Sequence, residues 1–195
     1  KDMDRLMDHA TPAAIAEAAV RHGARSVAYT YNDPIIFAEY AIDTALACRE
    51  RGVFNVAVTA GYIHADPCRE FFSVMDAANV DLKGFSEDFY FRQCGAHLQP
   101  VLDTLAWIHH ESDCWLEITT LLIPGLNDHE IEALADFAHE HDLSLRYIEF
   151  MPLDSGHHWE RSRVVTAAEM LGAINAAYPL IADGREEKSA TALRY

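Results

Sequence analysis

The chain has 195 residues, half of them hydrophobic, which suits a single domain with a sizeable core. A net charge of −16 argues against general nucleic-acid binding, because a protein that neutralises phosphates needs a basic surface. No apolar run reaches the roughly 18 residues of a membrane span, and Lys1, Asp2, Met3 and Asp4 lack the regions of a signal peptide, so the expected location is the cytoplasm.

Short apolar segments rich in Val, Ile and aromatics recur along the chain, at residues 26–31, 54–59, 78–82, 114–123 and 144–151. Continuous runs of this kind suit strands buried on both faces of a parallel sheet. Between the first two, residues 34–51 have helical spacing, with Ile36, Phe37, Tyr40, Ala41, Thr44 and Cys48 on one stripe and Gly52 at the stop. Asp66-Pro67 reads as an N-cap and first helical residue, opening a helix to about residue 77. Asn127-Asp128 likewise precedes a helix over 130–141, with Ile131, Leu134, Ala135 and Ala138 inward. Phe71, Phe72 and Trp107 read as core.

Strand followed by helix, repeated, is a series of βα units of about 25 to 35 residues. A closed eight-stranded barrel typically needs about 250 residues, so the expected fold is α/β, a partial, open βα barrel of parallel strands with outer helices. A doubly wound sheet is the competing architecture, but no G-x-G-x-x-G follows the first strand.

In such folds the site lies at the carboxyl ends of the strands. Those ends read YNDP (31–34), TAGY (59–62), DLKG (81–84), PGLND (124–128) and EFMP (149–152), polar groups where a mouth should be. Asp81 and Lys83, two apart on a strand, would share a face, either as an ion pair or as a cation and carboxylate for a zwitterionic or carbonyl ligand. Lys83 could alternatively form a Schiff base. Asn32-Asp33-Pro34 and the PGLND stretch are equally good helix starts. His109-His110 and His157-His158 lack metal-ligand spacing, so no metal site is expected. Cys48, Cys68, Cys94 and Cys114 are too far apart for a C-x-x-C motif and read as free, mostly buried thiols.

YTYNDP, VTAGY, NVDLKGF, GAHLQPVLDTL and EITTLLIPGLND together resemble the radical S-adenosylmethionine (SAM) enzymes related to pyruvate formate-lyase activating enzyme, the AmmeMemoRadiSam group most closely, over residues 12–143. The resemblance implies a partial βα barrel in which a 4Fe–4S cluster reductively cleaves SAM to a 5′-deoxyadenosyl radical. It further implies a small-molecule or glycyl-radical protein substrate and an electron donor such as flavodoxin or ferredoxin. By the same resemblance Asn32 and Asp33 meet the SAM amino group, Asp33 standing where the family usually has glutamate. Thr59 lies near the methionine moiety, Asp81 and Lys83 at the SAM carboxylate end, and the Thr119 to Leu121 strand, with Leu121 itself, by ribose and adenine.

From about residue 146 the text instead resembles the GTP 3′,8-cyclase of molybdenum-cofactor biosynthesis, in RYIEFMPLDSGHHWERSRVVTAAEML, YPL and SATALRY. The charge changes there too: 9 Lys and Arg stand against 24 Asp and Glu up to residue 145, then 6 against 7. Residues 1–145 are therefore expected to form a radical SAM core and 146–195 its last strand with a cyclase-like segment, where Arg146, Arg161, Arg163, Arg185 and Arg194 supply local positive charge. No C-x-x-x-C-x-x-C occurs, so the cluster ligands are not expected in this chain, and a fragment, or a remnant that binds SAM without catalysis, is the expected form.

Overall fold

The computed structural model describes residues 10–152, 159–184 and 192–195. The chain divides into two compact units, one of residues 1–81 with 99–116, the other of 82–98 with 117–195. His157-His158, Arg185 and part of the SATALRY stretch lie outside the described residues.

The first unit is a run of parallel βα units. Helix α1 (Pro12–Arg21) starts on Thr11, whose hydroxyl accepts the Ala14 N–H, with proline at the first position where no N–H is needed. Strands β1 (Ser26–Tyr29), β2 (Phe54–Thr59) and β3 (Ala77–Asp81) pair in parallel, Ser26 beside Phe54 and Val56 beside Ala77. Helices α2 (Ala38–Arg49), α3 (Ala65–Phe72) and later α5 (Gln99–Glu111) complete it.

Its core is made by these periodicities: Ala16 and Ala19 of α1 meet Cys48 of α2 and Val53. Phe71 and Phe72 are buried edge to face, and Val101, Leu105 and Ile108 of α5 are buried as well. Each such large side chain contributes roughly 1.5–3 kcal/mol through burial. Trp107, expected in the core, is only half-buried, since it stands one position off the stripe of Thr104, Leu105 and Ile108.

Among the boundaries that differ from the sequence pattern, three have a clear local reason. Strand β1 stops at Tyr29, two residues early, because Tyr31 adopts a left-handed φ of 71° that no strand tolerates. Residues Pro34–Phe37 form a 3₁₀ turn, and its tighter pitch rotates Ile36 out of the expected stripe to 76% exposure. Helix α3 starts before Asp66, with the Cys68 N–H bonded to the His64 carbonyl, and ends at Phe72. Pro67 falls in the first turn, where its missing N–H leaves no bond unmade.

In the second unit β4 (Trp115–Leu122) runs parallel to β5 (Ser144–Glu149), Thr119 beside Arg146. A single turn, α4 (Glu87–Phe89), continues into a π-type turn at Tyr90–Cys94 that Gly95 closes at φ 63°. Helix α6 (Ile131–Glu140) buries Ile131, Leu134 and Ala138, as its spacing predicts. Helix α7 (Ala167–Ala177) opens with a reciprocal capping box between Thr166 and Glu169. Strands run parallel and helices follow them, as expected of a partial βα barrel. Among the described residues no helix is long and apolar enough to cross a membrane.

Candidate functional site

The first unit's polar strand end is built around Asp33. Its Oδ1 accepts the Ile35 N–H (3.1 Å), capping the 3₁₀ turn, and the Thr59 hydroxyl (2.7 Å). Its Oδ2 accepts the Ala60 N–H at 2.9 Å. Thr59 is buried, and its Oγ1 in turn accepts the Gly61 N–H (3.1 Å). One carboxylate thus ties the loop after β1 to the loop after β2, and three of its acceptor positions are in use.

Gly61 makes that turn feasible, with φ 67° and no room for a Cβ, which would lie 2.8 Å from Val80. Asn32 and Tyr31, one step out, are exposed. The polar cluster that ends β1 therefore presents Asn32 to solvent and keeps Asp33 for the protein.

Asp81 is the last residue of β3 and is half-buried. Lys83 was expected to share a face with it. Lys83 is exposed while Asp81 is half-buried, because the two-residue alternation of a strand ends at Asp81.

In the second unit the main chain around Lys83 is held by side chains on every side. The Thr120 hydroxyl donates to the Leu82 carbonyl at 2.7 Å. The Lys83 N–H donates to the Tyr90 hydroxyl (3.2 Å), and Asn127 Nδ2 donates to the Lys83 carbonyl (2.8 Å). Gly84 packs against the Phe89 ring so closely that a Cβ would lie 2.4 Å from it. The Phe85 N–H donates to Glu130 Oε2 at 2.7 Å, and the Phe85 ring meets Phe137.

Asn127 and Glu130 are buried; Asn127, expected with Asp128 to open the helix, makes no side-chain cap bond. Asn127 also donates to the Leu121 carbonyl and accepts the Ile123 N–H, which completes its bonding. The anchoring roles of Glu130, Asn127, Tyr90 and Thr120 were not identifiable from sequence, since their partners lie up to 45 residues away. These bonds fix the main chain that carries Lys83, whose side chain is exposed.

On β4, Glu117, Thr119 and Leu121 alternate onto one face; Thr119 is buried and Leu121 half-buried. Arg146 on β5 donates to Glu117 (2.8 Å), and Arg194 pairs with Asp183 (3.6 Å). These two guanidinium charges of the tail are thus offset locally.

The four cysteines are free and, as expected, mostly buried: Cys48, Cys68 and Cys114 are buried and Cys94 is exposed. Burial pushes the Cys68 thiol up to about 11 and the Cys114 thiol up to about 12, and raises Cys48 as well. Among the described residues no three His, Cys, Asp or Glu are grouped to hold a metal ion. His109 and His110 are exposed and stack on each other.

The family model of the radical SAM superfamily matches residues 1–138. The chain belongs to the radical SAM superfamily. An uncharacterized protein, MJ0808, of Methanocaldococcus jannaschii is 40% identical over 118 residues, which are 60% of this chain and 34% of that protein. The GTP 3′,8-cyclase of Streptomyces coelicolor is 37% identical over 124 residues, 62% of this chain and 36% of that enzyme. This radical SAM chain thus spans about a third of the length of these curated relatives. A crystallised domain of pyruvate-formate lyase-activating enzyme from Bacteroides vulgatus matches the fold with a TM-score of 0.61 at 16% identity, covering 77% of this chain and 91% of that domain. The fold is therefore the partial βα barrel implied by the sequence motifs.

Proposed function

We propose that the chain is the SAM-binding core of a radical SAM enzyme of the activating-enzyme type. The observation that carries this reading is Lys83, exposed yet seated on a main chain that Asn127 and Glu130 secure from buried positions. A compact ammonium on a stem rooted in this main chain suits the carboxylate of SAM. In the first unit the reading gives Asn32 a direct contact with the SAM amino group, and makes Asp33 and Thr59 the pair that holds the loops around it. Asp81 supports the carboxylate end, and Thr119 and Leu121 serve the nucleoside.

A 4Fe–4S cluster, the cofactor implied by the superfamily, would supply electron-transfer chemistry to bound SAM. The cysteines of this chain do not fit such a cluster. Cys48, Cys68, Cys94 and Cys114 lack the spacing, and the thiols of Cys48, Cys68 and Cys114 are buried and held protonated, whereas a cluster takes thiolates.

Residues 1–145 form the core in this reading, and the cyclase-like text begins inside β5, continuing its last strand. A second reading, GTP 3′,8-cyclase activity, is favoured by the 37% identity to the Streptomyces coelicolor enzyme. The pairing of Arg146 with Glu117 and of Arg194 with Asp183 leaves less charge for a triphosphate.

Equilibrium dialysis of the 195-residue chain with labelled SAM and, separately, labelled GTP tests the choice. Retention of SAM without GTP is the expected result, and GTP retention alone would favour the cyclase. Iron and sulfide added to the same chain should give no SAM cleavage; cleavage would overturn the account of its cysteines.

A further inference from the structure

We propose that Glu130 is a positioning residue that holds the Lys83 segment in the arrangement that receives the anionic end of its ligand. The proposal rests on the SAM-binding reading. Glu130 is 94% buried by its 6% relative exposure, an unusual place for a carboxylate. Its Oε2 takes the Phe85 N–H at 2.7 Å, the short distance of a charge-assisted hydrogen bond. Its Oε1 is buried with no hydrogen-bond partner among the described residues.

A carboxylate with one sealed, unsatisfied oxygen is a costly way to bind one amide, and an apolar residue there would avoid that cost. What the carboxylate adds is a fixed position for Phe85, two residues after Lys83. Tyr90 and Asn127 fix the Lys83 N–H and carbonyl, but leave the chain free to turn beyond Gly84. Glu130 closes that freedom. Because Gly84 sits against the Phe89 ring, any shift at Phe85 is passed back to Lys83 through a rigid, crowded link.

Two variants separate this role from plain support of the fold. Glu130→Gln keeps an acceptor oxygen within reach of the Phe85 N–H, whereas Glu130→Asp keeps the charge and withdraws it by one methylene. Amide hydrogen exchange at Phe85 and at Ile118 of β4 is followed beside SAM titration. The Asp variant is expected to exchange Phe85 at least about tenfold faster with Ile118 unchanged, and to bind SAM at least about fivefold more weakly. The Gln variant should stay within about threefold of wild type in both.

An Asp variant whose Phe85 exchange rises while SAM affinity stays at the wild-type value overturns the positioning role. Unchanged exchange at Phe85, or equal acceleration at Ile118, overturns the hold itself. A wild-type chain that takes up no SAM overturns the reading beneath the proposal, and exchange at Phe85 then still decides whether Glu130 holds the segment.

Discussion

The two units use polar side chains at their strand ends in opposite ways. In the first, Asp33 spends its carboxylate on Ile35, Thr59 and Ala60, so the most conspicuous charge of the YNDP stretch holds the protein together. In the second, Asn127 and Glu130 are buried to secure main chain, and the charge they support, Lys83, stays exposed. A charged residue at a strand end can thus be tied into the scaffold, as Asp33 is, or left exposed on a secured main chain, as Lys83 is.

The largest effect expected from breaking this contrast is at Asn127. Asn127→Ala leaves the Ile123 N–H and the Lys83 and Leu121 carbonyls without their partner, and should cost about 3–5 kcal/mol in urea unfolding. A loss below about 1 kcal/mol would mean that the seat of Lys83 is held elsewhere.

Asp33→Ala comes next, at about 2–3 kcal/mol, since three donors lose their acceptor. Asp33→Glu, the residue usual in the resembling family, should recover only part of that loss, because the longer side chain displaces the carboxylate from Thr59 and Ala60. Thermal unfolding of both variants checks the order.

Gly61→Ala should cost about 1–2 kcal/mol, from the left-handed φ and the approach to Val80. The same scan measures it, and an unchanged midpoint would show that the turn between Thr59 and Tyr62 can relax.

The smallest effect concerns the exposed pair of Glu87 and His97. The hydrogen bond from His97, with a second from the Leu98 N–H, holds the Glu87 carboxyl below the ordinary glutamate range. Its contribution is therefore fully present above the unfolded-state value and is lost as pH falls through the lower folded value. Glu87→Gln should lower stability slightly at neutral pH and flatten the acid limb of a stability–pH profile, so that variant and wild type converge at the lowest pH.

Much of the fold is legible in the sequence because burial on both faces writes continuous apolar runs. β2 is matched to the residue, and the inner face of α6 is anticipated at Ile131, Leu134 and Ala138. Where backbone geometry intervenes, the pattern misleads: the 3₁₀ turn at Pro34–Phe37 exposes Ile36, and Tyr31 ends β1 early. Candidate residues such as Asp33 and Lys83 stand out through their position at strand ends. Their roles do not, because each depends on partners distant in sequence, Thr59 for one and Asn127 for the other. Glu130 reads in sequence as one more acid at a helix start, and only the Phe85 N–H opposite gives it a purpose.

The most direct test of the central claim is SAM titration of Lys83→Ala beside the wild-type chain, with urea unfolding of both. Because Lys83 is exposed and its main chain is held by other residues, the variant should keep its unfolding midpoint while SAM affinity falls at least about tenfold. A variant that binds SAM as tightly as wild type would contradict the assignment of Lys83 to the ligand.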